Sequence, residues 1–340
     1  MQQTSTMPSV TLGRTGITTS RLGLGAWGLG NAGAHPGAQI LDEESVAQVL
    51  DTALASGVRL LDSAEVYDNE ELLGRLLRSR GGLPEDLVVS TKFGHGKGFS
   101  GDQVRRSVER SLAAFGIESI PLMMLHDPRG DDDLEVIMGK GGALEALREL
   151  QDQGLVGSVG MATGTLGPLQ RAVVSDEFDV IQFPRLYTLL NQAARTSGLL
   201  EQAKEKNIGT ILTSPFTGNI LGTGVRGVGN PLYSFWPAQP EVVSAVAAMQ
   251  ERADELGIPL PEAAVAYAAA EPLIDVIVIG VASAAELRQD IAALSSAASL
   301  EQLESIAAAG KVDQQLLGGP DFVWPFPADR MPPELKAKLG

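Results

Sequence analysis

The chain has 340 residues, with only four tyrosines and three histidines. Within it Asp62, Tyr67, Lys92 and His126 are the types needed to trade a proton with an oxygen atom. A tyrosine hydroxyl ordinarily ionises near pH ~10, and a neighbouring ammonium stabilises the phenolate and lowers that value. Lys92 supplies such a charge, Asp62 holds Lys92 by an ion pair, and His126 orients a carbonyl oxygen beside Tyr67. This set gives a proton to an oxygen or takes one from an alcohol, while a separate hydride carrier performs the redox half. Taken singly, each residue has a structural explanation, since a strand-end Asp caps helices and a lone Lys or His at a sheet edge is solvated. Their joint presence at successive strand ends points to chemistry.

Those strand ends come from an alternation of short β-branched runs and amphipathic stretches. Strands are expected at Arg21 to Gly25, Val58 to Asp62, Leu87 to Lys92, Pro121 to His126, Val156 to Met161, Asp179 to Phe183, Gly209 to Thr213 and Asp275 to Gly280. Helical patterns lie between them at Asp42 to Ser56, Asn69 to Arg80, Gly101 to Phe115, Gly142 to Gln153, Gly167 to Ser175 and Ser197 to Lys206. Two more, Glu241 to Leu256 and Pro261 to Ala270, follow the seventh strand, so one is an extra packing helix. Asp42 and Ser197 are expected N-caps, and Gly57, Gly116 and Gly154 left-handed helix ends. The pattern predicts one α/β domain over residues 1–340, a (β/α)8 TIM barrel with an N-terminal β-hairpin and long C-terminal loops. A doubly wound sheet is the competing architecture. Gly23, Gly25 and Gly28 do fit the GxGxxG spacing, but a loop, Asn31 to Gly37, follows where the phosphate-binding helix would have to start. The Leu221 to Pro240 stretch reads as a long Gly- and Pro-rich loop, functional or disordered, carrying Tyr233, Phe235 and Trp236. The tail from Gly310 onward, with Phe322, Trp324 and Phe326, is a similar stretch, expected to fold over the barrel mouth.

Charged residues at 20% and hydrophobic ones at 44% leave ample material for a core and exclude a disordered chain. Twenty-six basic against 42 acidic residues give a formal charge of −16, which repels phosphate backbones and argues against nucleic acid. No segment reads as a signal peptide or membrane span, so a cytoplasmic protein is expected. The lack of cysteine removes disulfides and thiolate metal sites. His35, His95 and His126 share no spaced motif, and no metal is expected. Oligomeric state is open, a homo-oligomer included.

The run from Leu61 to Gly74 resembles the aldo-keto reductase signature, Asp-Thr-Ala-x-x-Tyr followed by Glu-x-x-x-Gly. The resemblance extends to Leu12 to Gly16, Leu22 to Gly25, Ser90 to Lys92, Leu125 to Pro128 and Ser214 to Gly222. It implies Tyr67 as general acid/base, Lys92 as its tuner, Asp62 as the partner of Lys92 and His126 as the group orienting the carbonyl. It also implies a nicotinamide dinucleotide, NADP or NAD, across the barrel mouth. Gln182 would bind the carboxamide, while Ser214, Phe216, Gly218 and Leu221 belong to the pyrophosphate loop. Gly280, Ala282, Ser283 and Arg288 match the adenosine end, and Gly25, Ala26, Trp27 and Asp62 complete the set.

Several positions depart from the pattern. Ala162 and Thr163 replace a Ser-Asn pair, so Thr163 must supply the carboxamide contact, and Thr213 stands where relatives stack a tyrosine. Ala282 replaces a phosphate-gripping cation and Asp290 an adenine-binding Asn. Arg288 remains as a cation, and family habit puts NADP ahead. Arg185 to Leu190 resembles the aldose 1-dehydrogenase branch, which places Tyr187 against the cofactor or, equally, in the core. The implied activity interconverts a carbonyl and an alcohol on a small substrate, a sugar or sugar-derived aldehyde, with His126, Arg129, Trp27 and Trp236 as pocket residues. An aldose 1-dehydrogenase is the nearest alternative. A cofactor-binding redox sensor and a Lys92 Schiff-base lyase are the alternatives from other classes. For an anionic substrate the candidate cations are Arg129, Arg185 and Arg226.

Overall fold

The computed structural model describes residues 7–30, 41–234 and 236–317. An antiparallel hairpin, β1 (Ser9–Thr11) and β2 (Thr18–Ser20), leads into β3 (Leu22–Gly25). The first half continues with α1 (Glu43–Ala55), β4 (Leu60–Asp62), α2 (Glu70–Arg78), β5 (Val88–Phe93), α3 (Gly101–Phe115), β6 (Ile120–His126), α4 (Asp131–Met138) and α5 (Ala143–Asp152). Then come β7 (Val156–Ala162), α6 (Leu166–Ser175), β8 (Val180–Pro184), α7 (Ala193–Thr196), α8 (Leu199–Glu205), β9 (Gly209–Thr213) and α9 (Ile220–Thr223). A short antiparallel pair, β10 (Leu232–Tyr233) and β11 (Trp236–Pro237), precedes α10 (Pro240–Leu256), α11 (Leu260–Ala269), β12 (Val276–Ile279), α12 (Ala284–Ala293) and α13 (Leu300–Ala309).

Strands β3 to β9 and β12 close into a parallel barrel in the order β12-β3-β4-β5-β6-β7-β8-β9. This is the expected (β/α)8 barrel with its N-terminal hairpin. The strands are buried on both faces, which is why their sequences run apolar without clean alternation. One apolar cluster fills the space between strands and helices. A smaller one inside the barrel joins Leu60, Leu122, Met124, Val180, Ile211 and Val276 to Leu12 from the hairpin. Gly13 makes that plug possible. It has φ +48°, and a Cβ there would lie 2.2 Å from the Gly209 nitrogen.

Asp42 caps α1 by accepting from the Ser45 N–H, and Gly57, Gly116 and Gly154 all adopt positive φ at helix ends, as expected. Ser197 does not cap a helix start. It closes α7, and left-handed Gly198 precedes α8, because the chain breaks into two short helices where one was expected. The expected long loop from Leu221 is present, interrupted by the short elements α9, β10 and β11, and Trp236 is buried in it. Helix α4 was not apparent in the sequence. Its first turn is Asp131, Asp132 and Asp133, which suit the positive end of a helix dipole. After β9, α10 packs along α13 while α11 packs on α9 and α12, so α10 is the extra helix. The Tyr233 hydroxyl donates to the Leu317 carbonyl at 2.9 Å, tying this region to the start of the tail. His35, Phe235, Phe322, Trp324 and Phe326 lie outside the described residues. No described helix is long and apolar enough to cross a membrane.

Candidate active site

All barrel strands run the same way, so their C-terminal ends share one mouth. Asp62 ends β4 opposite Gly25 of β3 and Ser90 of β5. Lys92 lies two residues further along β5, and His126 ends β6 opposite Ala162, itself opposite Gln182. There the Lys92 ammonium donates to Asp62 Oδ2 at 2.7 Å and to the Ser63 carbonyl at 2.6 Å. Ser90 Oγ donates to Asp62 Oδ1 at 2.8 Å, so both carboxylate oxygens are engaged. Asp62 and Lys92 are 4% and 2% exposed, a dry pair in which neither charge can be lost without stranding the other.

Tyr67 is aimed by the chain after β4. A 3-10 turn over Glu65–Tyr67 ends at Asp68 with φ +54°. Buried Asn69 fastens that turn, accepting from Ser63 Oγ and donating to the Ala26 and Leu29 carbonyls, both at 2.7 Å. Glu65 is held by Lys97, Ser107 and Arg110, and buried Glu70 by Thr91 and Ser111. Gly74 lets α2 approach α3, since a Cβ there would lie 2.2 Å from the Ala114 carbonyl oxygen. The signature residues around Tyr67 are therefore its scaffold.

Lys92 Nζ lies 5.3 Å from the centre of the Tyr67 ring, and the His126 ring meets Tyr67 edge-on at 5.9 Å. Burial, followed by the charges of Asp62 and Asp127, raises the Tyr67 hydroxyl well above its ordinary value. The lowering expected from Lys92 is not what the resting site gives, because burial outweighs it and Asp62 answers the Lys92 charge. Tyr67 is therefore protonated at rest. Burial pushes His126 down to about 3, with Lys92 and His95 opposing its charge further, so its imidazole is neutral.

Two neighbours escaped the sequence reading. His95 Nδ1 sits 2.9 Å from Asp127 Oδ2, and the His95 ring is 5.3 Å from that of His126. Asp127 is held below the usual carboxylate range: burial raises it, but the His95 hydrogen bond and the Arg185 charge are among the interactions that outweigh that. Following the chain a few residues past Lys92 and His126 would have found both. Arg185, directly after β8, is also at the mouth, near Asp127 and Tyr233.

The expected cofactor positions divide. Gln182 is 2% exposed and its Nε2 has no partner among the described residues, an amide donor suited to a carboxamide. Ser214, Thr217, Gly218 and Asn219 all have positive φ, which curls the loop before α9. Curled backbone of this kind gathers N–H groups for anions, so the loop fits a diphosphate. Among the described residues, a Cβ at Gly280 would meet nothing closer than the Gly25 carbonyl at 3.8 Å, which leaves room for a ligand. Gly25 ends β3, Ala26 is buried, and Trp27 and Phe216 are half-buried.

Other expected positions are committed elsewhere. The Thr163 hydroxyl donates to the Pro128 carbonyl and accepts from the Thr165 N–H, so it is occupied. The Leu221 side chain is in the core. Tyr187 stacks on Tyr267 of α11 at 5.1 Å, which is the packing alternative. Ser283 caps α12, Glu286 accepts from the Ala282 N–H at 2.8 Å, and Arg288 is exposed, reaching Thr52. Asp290 is buried and pushed up to about 7, by burial first and Glu286 second. Arg129 is exposed, and Arg226 pairs with Asp254 on the surface.

The Aldo/keto reductase family matches this chain over residues 21–311. A pyridoxal 4-dehydrogenase of Microbacterium luteolum is 27% identical over 322 residues, covering 82% of this chain and 91% of that protein. A D-threo-aldose 1-dehydrogenase of a Pseudomonas species is 27% identical over 307 residues, covering 81% and 89%. Among solved structures, an aldo-keto reductase from Bacillus halodurans in its holo form superposes with a TM-score of 0.71 at 21% identity, covering 92% of this chain and 99% of that one. With a family match running from β3 to beyond α13, the chain belongs to the aldo/keto reductase family and is an NAD(P)-dependent oxidoreductase.

Proposed function

We propose that the barrel mouth interconverts a carbonyl and an alcohol on a sugar or sugar-derived aldehyde, with Tyr67 as general acid/base. The observation that carries this is the dry Lys92–Asp62–Ser90 network set beneath Tyr67, with a neutral His126 beside it. Bound nicotinamide supplies or accepts the hydride. Its carboxamide is assigned to Gln182 and its diphosphate to the Ser214–Asn219 curl. The neutral imidazole of His126 donates a hydrogen bond to the substrate oxygen and fixes it near the Tyr67 hydroxyl. Tyr67, protonated at rest, gives its proton to that oxygen as the carbonyl is reduced. The Lys92 ammonium, anchored by Asp62 and the Ser63 carbonyl, then stabilises the phenolate. Oxidation of an alcohol runs the same transfers backward and is favoured as pH rises.

The aldose dehydrogenase among the relatives supports a sugar, and the aldose 1-dehydrogenase alternative is this same site run toward oxidation. At the adenosine end, Ala282 offers no charge, and Glu286, with the partly ionised Asp290, stands against Arg288 as the local cation. That balance repels a 2′-phosphate and supports NAD, against the lean to NADP that the resemblance alone implies. The test is a parallel fluorescence titration with NADH and NADPH, followed by turnover on a panel of aldehydes and aldoses. The reading expects NADH to bind at least about tenfold more tightly, the size of one lost charge-assisted contact, and an aldehyde or aldose to turn over. If neither coenzyme binds, the reading is overturned.

A further inference from the structure

We propose that His95, His126 and Asp127 form a binding site for a divalent transition-metal ion of the zinc class at the lip of the carbonyl pocket. One ligand atom from each residue can be chosen so that all lie within 4.8 Å of one another, and all three side chains are partly exposed, so an ion can reach them. The cluster joins two of the chain's three histidines to a carboxylate, in a protein with no cysteine. It arises because β5 and β6 are neighbours: His95 comes three residues after Lys92, and Asp127 directly follows His126 on a left-handed residue with φ +54°.

Imidazole with carboxylate suits zinc, cobalt, nickel and copper, whereas magnesium and calcium prefer all-oxygen shells. Tetrahedral zinc with bonds of ~2.0–2.1 Å spaces its ligand atoms roughly 3.3 Å apart. His95 Nδ1 and Asp127 Oδ2 already stand at 2.9 Å, and a ligand atom of His126 lies within 4.8 Å of the pair. Lys92 and Arg185 nearby oppose a second cation, which weakens the site but leaves it intact. An ion here takes the His126 imidazole away from the substrate oxygen and so competes with the carbonyl substrate. That consequence rests on the function proposed above, whereas the binding itself does not.

The experiment is calorimetric titration of the full chain with zinc sulfate, and with magnesium chloride as control, on the parent and the His95→Ala, His95→Gln, His126→Ala and His35→Ala variants. Thermal melts check that each variant is folded, and the visible spectrum of bound cobalt reads imidazole ligation directly. The site predicts one zinc ion per chain and no magnesium binding. It predicts zinc affinity lowered at least about tenfold by each change at His95 or His126, with loss of the cobalt spectrum, and unchanged by His35→Ala. Absence of saturable zinc binding, or zinc affinity that survives the His95 variants, overturns it. In turnover assays zinc should raise the KM for the carbonyl substrate and leave kcat in place. Zinc bound as predicted but without effect on turnover supports the site and overturns the role given to His126.

Discussion

At the hairpin end of the barrel, Leu12 enters among Leu60, Leu122 and Ile211, and the charges nearby are solvent-facing pairs such as Arg14 with Asp176. At the opposite end, Asp62 and Lys92 are buried as a pair, and three strands leave the barrel through left-handed non-glycine residues, Asp127, Arg185 and Ser214. A non-glycine residue held there costs about 1–3 kcal/mol and persists only where its surroundings over-determine it. The closed end is filled with hydrocarbon and keeps its ion pairs toward solvent, whereas the open end buries its charges and releases three strands through left-handed residues. Stability gathered at one end allows the other to keep side chains in positions that suit chemistry rather than folding. The two ends should therefore fail differently when mutated.

The largest effect is expected for Lys92→Met. It strands the Asp62 carboxylate in a dry site, costing about 3–5 kcal/mol of stability. It also removes the cation facing the Tyr67 phenolate, lowering kcat by roughly a hundredfold or more. Denaturant melts and steady-state turnover read the two losses. Leu12→Ala, at the closed end, should cost about 2–5 kcal/mol by leaving a cavity. At a temperature where the variant is folded, its kcat should stay within about twofold of the parent. A large fall in kcat from Leu12→Ala would break the contrast between the ends.

Asp290→Asn sharpens the contrast from the mouth side, where removing a charge should stabilise. The Asp290 carboxyl is raised to about 7 in the folded protein, from 3.8. The native state therefore loses stability as pH climbs from the unfolded value through the folded one. The variant should be more stable by about 2–4 kcal/mol at pH ~8 and nearly unchanged at pH ~4. Melting curves across pH test this, and a pH-independent difference would contradict it. Arg14→Ala, a half-exposed pair at the closed end, should cost less than about 1 kcal/mol and leave turnover alone.

The barrel was legible because each parallel strand is a short apolar run bounded by Gly or by a capping residue, and that pattern survives without knowledge of the neighbours. Asp62, Lys92 and His126 were legible as strand-end polar residues, and Tyr67 through its spacing from Asp62. What remained hidden depends on contacts between elements. His95 and Asp127 come together only because β5 pairs with β6, and the fastening of Asn69 to Ala26 and Leu29 joins segments some 40 residues apart. The sign of the Tyr67 shift was hidden for the same reason. The sequence places Lys92 near Tyr67 and pairs it with Asp62, but does not show how far burial takes the Tyr67 hydroxyl out of water. Ser197 was misplaced as a cap because left-handed Gly198 splits the expected helix in two.

The claim that the Tyr67 hydroxyl carries the proton is tested most directly by Tyr67→Phe, which deletes one oxygen and keeps the ring beside Lys92 and His126. Coenzyme binding by fluorescence and turnover of the best carbonyl substrate are measured on the same preparation. The account predicts turnover reduced at least about a hundredfold while the coenzyme Kd stays within about threefold. Turnover within about tenfold of the parent, with normal coenzyme binding, would contradict it.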